Sequence, residues 1–96
     1  MFAAAATYVI QVGREAEAIA LFKSLGERTR AEPGNKLYLV HRSLRDARRF
    51  FLYEQYKDRR AFDKHCAADY FEELVIRGLR TMIDERESET YVLLEN

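Results

Sequence analysis

The chain is poor in the residues that most catalytic and metal-binding motifs require. Its 96 residues include no tryptophan, one proline, one cysteine and two histidines. The single cysteine, Cys66, excludes an intramolecular disulfide, and no Cys/His cluster has the spacing of a zinc site. Glycine-rich nucleotide-binding loops and the nucleophile elbow of serine hydrolases are also absent. The sequence therefore excludes the commonest zinc, nucleotide and serine-hydrolase machinery.

The chain also lacks an excess of charge and a long hydrophobic run. Sixteen basic and sixteen acidic side chains cancel, which disfavours binding to nucleic acid or to an anionic membrane. The longest apolar run, residues 1–6, is far shorter than the roughly 20 residues that span a bilayer. A secretory signal requires a basic segment before its apolar run, and no such segment precedes residues 1–6. Together with the single cysteine, these features predict one cytoplasmic domain over residues 1–96.

Hydrophobic periodicity predicts the elements of the first half of the chain. Pro33 and Gly34 form a turn, because proline blocks helix continuation and glycine permits positive φ. The polar residues 44–49 suit a hairpin turn. In chain order, the patterns predict a strand over residues 7–12 that residues 3–6 could extend, a helix over residues 15–31, and strands over residues 36–43 and 50–56.

The second half reads as a broken helix and a final strand. Asp58 can cap a helix that carries His65 and Cys66, and a break is expected at residues 67–69. The charged residues 84–89 are interpreted as a connection, and residues 90–94 as the last strand. Between the break and this connection, the next helix has an apolar stripe formed by Phe71, Leu74, Val75, Gly78, Leu79 and Met82.

The resulting order, β-α-β-β-α-β, predicts an α+β fold of the ferredoxin-like kind. It has a four-stranded antiparallel sheet with both helices on one face. If the second face carries Tyr8, Tyr38 and Phe51 or their neighbours, that face needs a cover. Glu54 is unusual, because a carboxylate on a partly buried strand face needs a partner or a function.

Several short segments in this order resemble a known family. They are EPGN at residues 32–35, HRSL-x-D at 41–46, RFFLYEQY at 49–56, AFDKH at 61–65 and DYF at 69–71. Together they are similar to the antibiotic biosynthesis monooxygenase family of small dimeric α+β barrels, from about Tyr8 to Leu94. The resemblance implies a homodimer in which two sheets close into a barrel and the C-terminal strand reaches the partner. It also implies oxidation of a phenolic or quinol-type aromatic substrate by O₂, without a metal or organic cofactor.

The resemblance supplies candidate site residues. His65 matches a family histidine beside the substrate pocket and Glu54 a strand glutamate, so both are predicted to be catalytic; the alternatives are a backbone-bonding histidine and a structural glutamate. Tyr56 stands where the family usually has tryptophan, so a role that needs an indole is not carried over. His41 is expected to be an ordinary surface residue. The predicted substrate contacts, with turn or core packing as alternatives for some, are Asn35, Tyr38, Tyr56, Tyr70 and Phe71.

Four other functions are known for ferredoxin-like folds, and the sequence bears differently on each of them. A non-catalytic small-molecule-binding or stress-response module would look the same in sequence, and an isomerase would use the same His65 and Glu54. Haem degradation is performed by a related branch, whose pattern has tryptophan at the position of His65 and a haem-ligating histidine ten residues later. This chain has Val75 at the second position and no tryptophan, so the resemblance disfavours haem degradation. Binding of RNA by the sheet is disfavoured because the basic and aromatic strand signature is missing.

Overall fold

A computed structural model describes residues 1–95 and confirms the predicted order of elements. Among these residues, no helix is long and apolar enough to cross a bilayer. The strands are β1 (Phe2–Ile10), β2 (Asn35–Arg42), β3 (Arg49–Tyr56) and β4 (Ile83–Val92). The helices are α1 (Glu15–Arg30), α2 (Arg59–Cys66) and the short α3 (Asp69–Phe71), which continues into a π-helical turn (Glu72–Ile76) and a 3₁₀ turn (Leu79–Thr81).

The four strands form one antiparallel sheet in the order β2-β3-β1-β4. The helices cover one face, where Phe22 of α1 packs between Tyr8 of β1 and Phe50 of β3, at ring-centroid distances of 5.6 and 5.1 Å. Alternation along β3 turns Phe50, Leu52, Glu54 and Tyr56 into this core. The ferredoxin-like prediction is therefore confirmed, including the inward position of Glu54.

The bounds of two strands, β1 and β4, differ clearly from the prediction. β1 begins at Phe2, because its alanine-rich segment is paired on both sides and this pairing outweighs the weak strand propensity of alanine. The strand ends at Ile10, before Val12. β4 includes residues 84–89, which the sequence placed in a connection, and it ends before Leu94. Charged side chains suit β4 because it is an edge strand with solvent beside it.

The second helical region breaks where the sequence predicted. Asp58 caps α2 by accepting a 2.8 Å hydrogen bond from the amide of Ala61, and α2 ends at Cys66. The following segment is not one regular helix, however, because it passes through π and 3₁₀ turns around Gly78. A Cβ at Gly78 would lie 2.4 Å from the carbonyl oxygen of Leu74, so this close approach requires glycine.

The open face of the sheet, which is the face that the helices do not cover, carries only one of the three aromatic residues expected there. Tyr8 and Tyr38 lie in the helix-covered core, 3% and 1% exposed, and only Phe51 of the three lies on the open face. Alternation reveals which residues share a strand face, but it does not reveal which face the helices cover. Leu39, Phe51 and Tyr91 remain more than two-fifths exposed on the open face. Closure of this face by a second copy stays a prediction.

Candidate active site

An inner cavity of about 190 Å³ lies between the sheet and the second helical region. Glu54 reaches it from β3, His65 from α2, Phe71 from α3 and Arg86 from β4. Alternation along β3 and β4 aims the two strand residues at the helices, and the Asp58 cap fixes the start of the helix that carries His65. The cavity therefore brings together the two predicted catalytic residues and one predicted substrate contact.

Glu54 is a buried acid with a defined partner. The hydroxyl of Tyr56 donates a 2.6 Å hydrogen bond to Oε1 of Glu54, and both side chains lie beneath the helices. Burial raises the pKa of Glu54, while the Tyr56 hydrogen bond and the nearby His65 and Arg86 oppose the shift. Glu54 can therefore keep its proton to higher pH than an ordinary carboxyl group and act as a hydrogen-bond donor.

His65 is 2% exposed and lies between two acidic residues. Its Nδ1 is 2.9 Å from Oε2 of Glu32, and its Nε2 is 3.7 Å from Oε1 of Glu54. The imidazole ring packs against Tyr56 and Phe71, at ring-centroid distances of 5.4 and 5.2 Å. This packing fixes the ring, so that one nitrogen faces Glu32 and the other faces Glu54.

Glu32 belongs to a small polar cluster that sequence reasoning missed. The hydroxyl of Tyr70 donates to Oε2 of Glu32, and it lies 3.1 Å from Nδ1 of His65 and 3.4 Å from the hydroxyl of Thr29. Glu32 and Tyr70 also line an outer groove of about 340 Å³ on the far side of His65. The available signal was the position of Glu32 directly before Pro33 and Gly34, within the first family-like segment.

Arg86 was also missed, because the sequence placed it in a connection. Its Nε is buried and has no hydrogen-bond partner among residues 1–95. Its guanidinium carbon lies 5.4 Å from the centre of the Tyr8 ring. Arg86 therefore gives the inner cavity a cation that can pair with an anionic guest.

The other predicted substrate contacts lie outside the inner cavity. The amide of Asn35 donates to the carbonyl oxygens of Leu37 and Gln55, at 3.1 and 3.4 Å, and so joins β2 to β3. Tyr38 is buried, its hydroxyl has no partner within the described chain, and burial raises its pKa. Tyr56 reaches the site through Glu54, and burial raises its pKa as well. Their roles in substrate binding stay predictions.

The remaining chemically interesting side chains do not extend the site. His41 is exposed and contacts the carbonyl oxygen of Phe51 at 3.0 Å, which confirms the surface prediction. Cys66 lines the inner cavity, but burial raises its pKa to about 11, which disfavours the thiolate. Within residues 1–95, no group of three or more His, Cys, Asp or Glu side chains could hold a metal ion.

A larger cavity, about 430 Å³, lies elsewhere, between α1 and the β2–β3 hairpin. Its lining includes Lys23, Glu27 and Arg42, all exposed to solvent, over an apolar floor. The inner cavity is smaller, yet it contains the buried acid and imidazole that proton-transfer chemistry needs. It is therefore the better candidate for an active site.

The sheet order defines a small ferredoxin-like α+β domain, and the buried carboxyl–imidazole pair beneath its helices is a candidate acid–base site. The family model described as antibiotic biosynthesis monooxygenase matches residues 1–76, so the chain belongs to this family. This result confirms the resemblance found in the sequence. No functionally curated protein matches the chain.

Solved structures agree with the family assignment. A crystal structure of an antibiotic biosynthesis monooxygenase is 25% identical, with a TM-score of 0.91 over 99% of this chain and 100% of that chain. A Shewanella oneidensis protein is 29% identical, with a TM-score of 0.88 over 94% of this chain and 87% of its own. A conserved Methanosarcina mazei Go1 protein is 28% identical, with a TM-score of 0.87 over 94% and 89%.

Proposed function

We propose that the chain is a monooxygenase that oxidises a phenolic or quinol-type aromatic substrate with O₂, without a cofactor, in the inner cavity. The observation that carries the proposal is His65, a buried imidazole held between two acidic side chains at the wall of a cavity, in a chain of a monooxygenase family. A flat apolar ring can pack against Phe71, while a substrate oxygen meets Glu54 and His65.

The chemistry needs only proton transfer and shelter from water. His65 Nε2 takes the phenolic proton, and a neutral Glu54 donates a hydrogen bond to the substrate oxygen. Arg86 stabilises the resulting anion, which is electron-rich enough to pass an electron to O₂. Recombination forms a carbon–oxygen bond at a ring carbon that carries hydrogen, and His65 returns its proton to the distal oxygen to give a hydroperoxide. Loss of the hydrogen from that carbon and cleavage of the O–O bond then release water and leave a carbonyl. The substrate gains one oxygen atom and loses two hydrogen atoms to water, so it supplies all the electrons itself.

The size of the inner cavity limits the substrate. About 190 Å³ lies below the roughly 300–1,000 Å³ of pockets for drug-sized ligands. A guest with one or two fused rings therefore suits the cavity better than a three-ring anthrone. We expect naphthols and naphthoquinols to be the best substrates of a panel that includes anthrones.

We also propose that the protein acts as a homodimer in the cytoplasm. The exposed apolar side chains Leu39, Phe51 and Tyr91 lie on the open face of the sheet, where a second copy would cover them. Two sheets meeting at this face would form the barrel that the family resemblance implies. Light scattering of the purified protein tests the assembly directly.

Oxygen uptake by protein free of metal and flavin tests the activity. With 1-naphthol, His65→Gln should lower kcat by about tenfold or more, because the general base is lost. His41→Gln is the matched control, since it changes the other, exposed imidazole and should leave kcat unchanged. Uptake at the buffer rate for every substrate, with binding intact, would favour the non-catalytic module. Conversion without oxygen uptake would favour an isomerase.

A further inference from the structure

We propose that Glu32 is a positioning residue that holds the proton of neutral His65 on Nδ1 and so presents a bare Nε2 to the inner cavity. Its consequence for catalysis rests on the function proposed above. The position of the proton does not, because it can be measured on the resting protein.

The hydrogen-bond geometry leaves one arrangement. Nδ1 of His65 lies 2.9 Å from Oε2 of Glu32, and a carboxylate can only accept hydrogen bonds. If Nδ1 carried no proton, two lone pairs would face each other in a partly buried contact. The Tyr70 hydroxyl cannot relieve this conflict, because it donates its single proton to the same Glu32 oxygen. Nδ1 must therefore be the donor.

The opposite nitrogen is then free for chemistry. Nε2 lies 3.7 Å from Oε1 of Glu54, which is longer than a hydrogen bond. That oxygen already accepts a hydrogen bond from Tyr56. A substrate hydroxyl entering the inner cavity can therefore donate to Nε2 without displacing a protein hydrogen bond.

Glu32 also compensates the charge that the reaction creates. When Nε2 takes a proton, the imidazolium faces Glu32 from the turn after α1, Glu54 and Tyr56 from β3, Tyr70 from α3, Cys66 from α2 and Arg86 from β4. Glu32 is the nearer of the two acidic side chains, 2.9 Å from the imidazole against 3.7 Å for Glu54, so it is placed to supply most of the negative charge beside the imidazolium. Glu32 thus stabilises the proton until it returns to the substrate-derived oxygen.

The fold holds Glu32 firmly in this place. Its amide donates to the carbonyl oxygen of Thr29 at 3.0 Å, and its own carbonyl oxygen accepts from the amide of Asn35 at 3.1 Å. Gly34 lets the turn approach α2 closely, because a Cβ there would lie 2.5 Å from the Cβ of Ala61. The close contact brings Glu32 beside the helix that carries His65.

Imidazole ¹⁵N NMR at a pH where His65 is neutral tests the proton position without any substrate. The wild-type protein should show a protonated Nδ1 and a bare Nε2. In Glu32→Ala the Tyr70 hydroxyl is free to donate to Nδ1, so the proton should move to Nε2. Glu27→Gln, on the exposed side of α1, is the control and should keep the wild-type pattern. A wild-type Nε2 proton would overturn the proposal, as would an unchanged pattern in Glu32→Ala.

The kinetic consequence needs a second readout. Glu32→Gln, which keeps the side-chain volume, should lower kcat at least about tenfold with little change in KM, because the base is misoriented. If every variant and the wild type lack turnover while the tautomers behave as expected, the proposed function fails and the positioning role stands. If the wild type turns over and Glu32→Gln shifts the proton without lowering kcat, the catalytic role of Glu32 is overturned.

Discussion

Two tyrosines on neighbouring strands should respond in opposite ways to the same substitution. Tyr56 and Tyr38 are both buried, at 0% and 1% exposure, but only Tyr56 has a hydrogen-bond partner for its hydroxyl among residues 1–95. Tyr56→Phe removes the donor to Glu54 and leaves a buried oxygen without its hydrogen bond. Tyr38→Phe instead removes an unpaired hydroxyl from the core. The pair therefore isolates the hydrogen bond from the ring.

The expected magnitudes follow from the burial of these groups. Leaving the Glu54 oxygen without a donor should cost about 1–3 kcal/mol of unfolding free energy, whereas Tyr38→Phe should be neutral or stabilising. For a domain of this size, each 1 kcal/mol lowers Tm by roughly 4–8 °C. Urea and thermal unfolding at a fixed protomer concentration measure both effects, since dimerisation would otherwise shift them. Equal losses in the two variants would refute the reasoning.

Two further predictions concern the buried carboxyl group of Glu54 and the close backbone contact at Gly78. Burial raises the pKa of Glu54 in the folded protein. The contribution of Glu54 to the free energy of unfolding is therefore full below the ordinary carboxyl pKa and is lost as pH rises through the raised pKa of the folded state. Glu54→Gln removes the titrating group and should flatten the stability–pH profile over this range. Gly78→Ala would place a methyl group 2.4 Å from the Leu74 carbonyl oxygen and should cost about 1–3 kcal/mol in urea unfolding. Gly26→Ala, whose methyl would lie nearest to the flexible end of the Arg30 side chain, should change stability by less than about 1 kcal/mol. An unchanged pH profile, or equal effects of the two alanines, would contradict these expectations.

The sequence was most informative where local pattern and burial agree. Alternation along β3 placed Glu54 on the buried face, and the cost of an unpaired buried carboxylate predicted that it needs a partner. The structure provides Tyr56 two residues away and His65 across the helix–sheet interface. Asp58 as a helix cap is another local signal, and it is confirmed.

The residues that were missed depend on contacts that no local pattern contains. Glu32 precedes His65 by 33 positions, and the two meet only because Gly34 allows a close approach to α2. Arg86 reaches the cavity because β4 pairs with the central strand β1, whereas its charged neighbours made the segment look like a connection. The sequence of a charged edge strand resembles that of a loop, since many of its side chains face solvent.

The most direct test of the account is the fate of labelled oxygen. Wild-type protein free of metal and flavin should convert 1-naphthol under ¹⁸O₂ into a quinone that carries one labelled oxygen atom, with the second atom in water and no hydrogen peroxide. The reaction should slow by about tenfold or more in His65→Gln. A product without label, accumulation of hydrogen peroxide, or equal rates in the two proteins would contradict oxygen insertion at the His65 cavity.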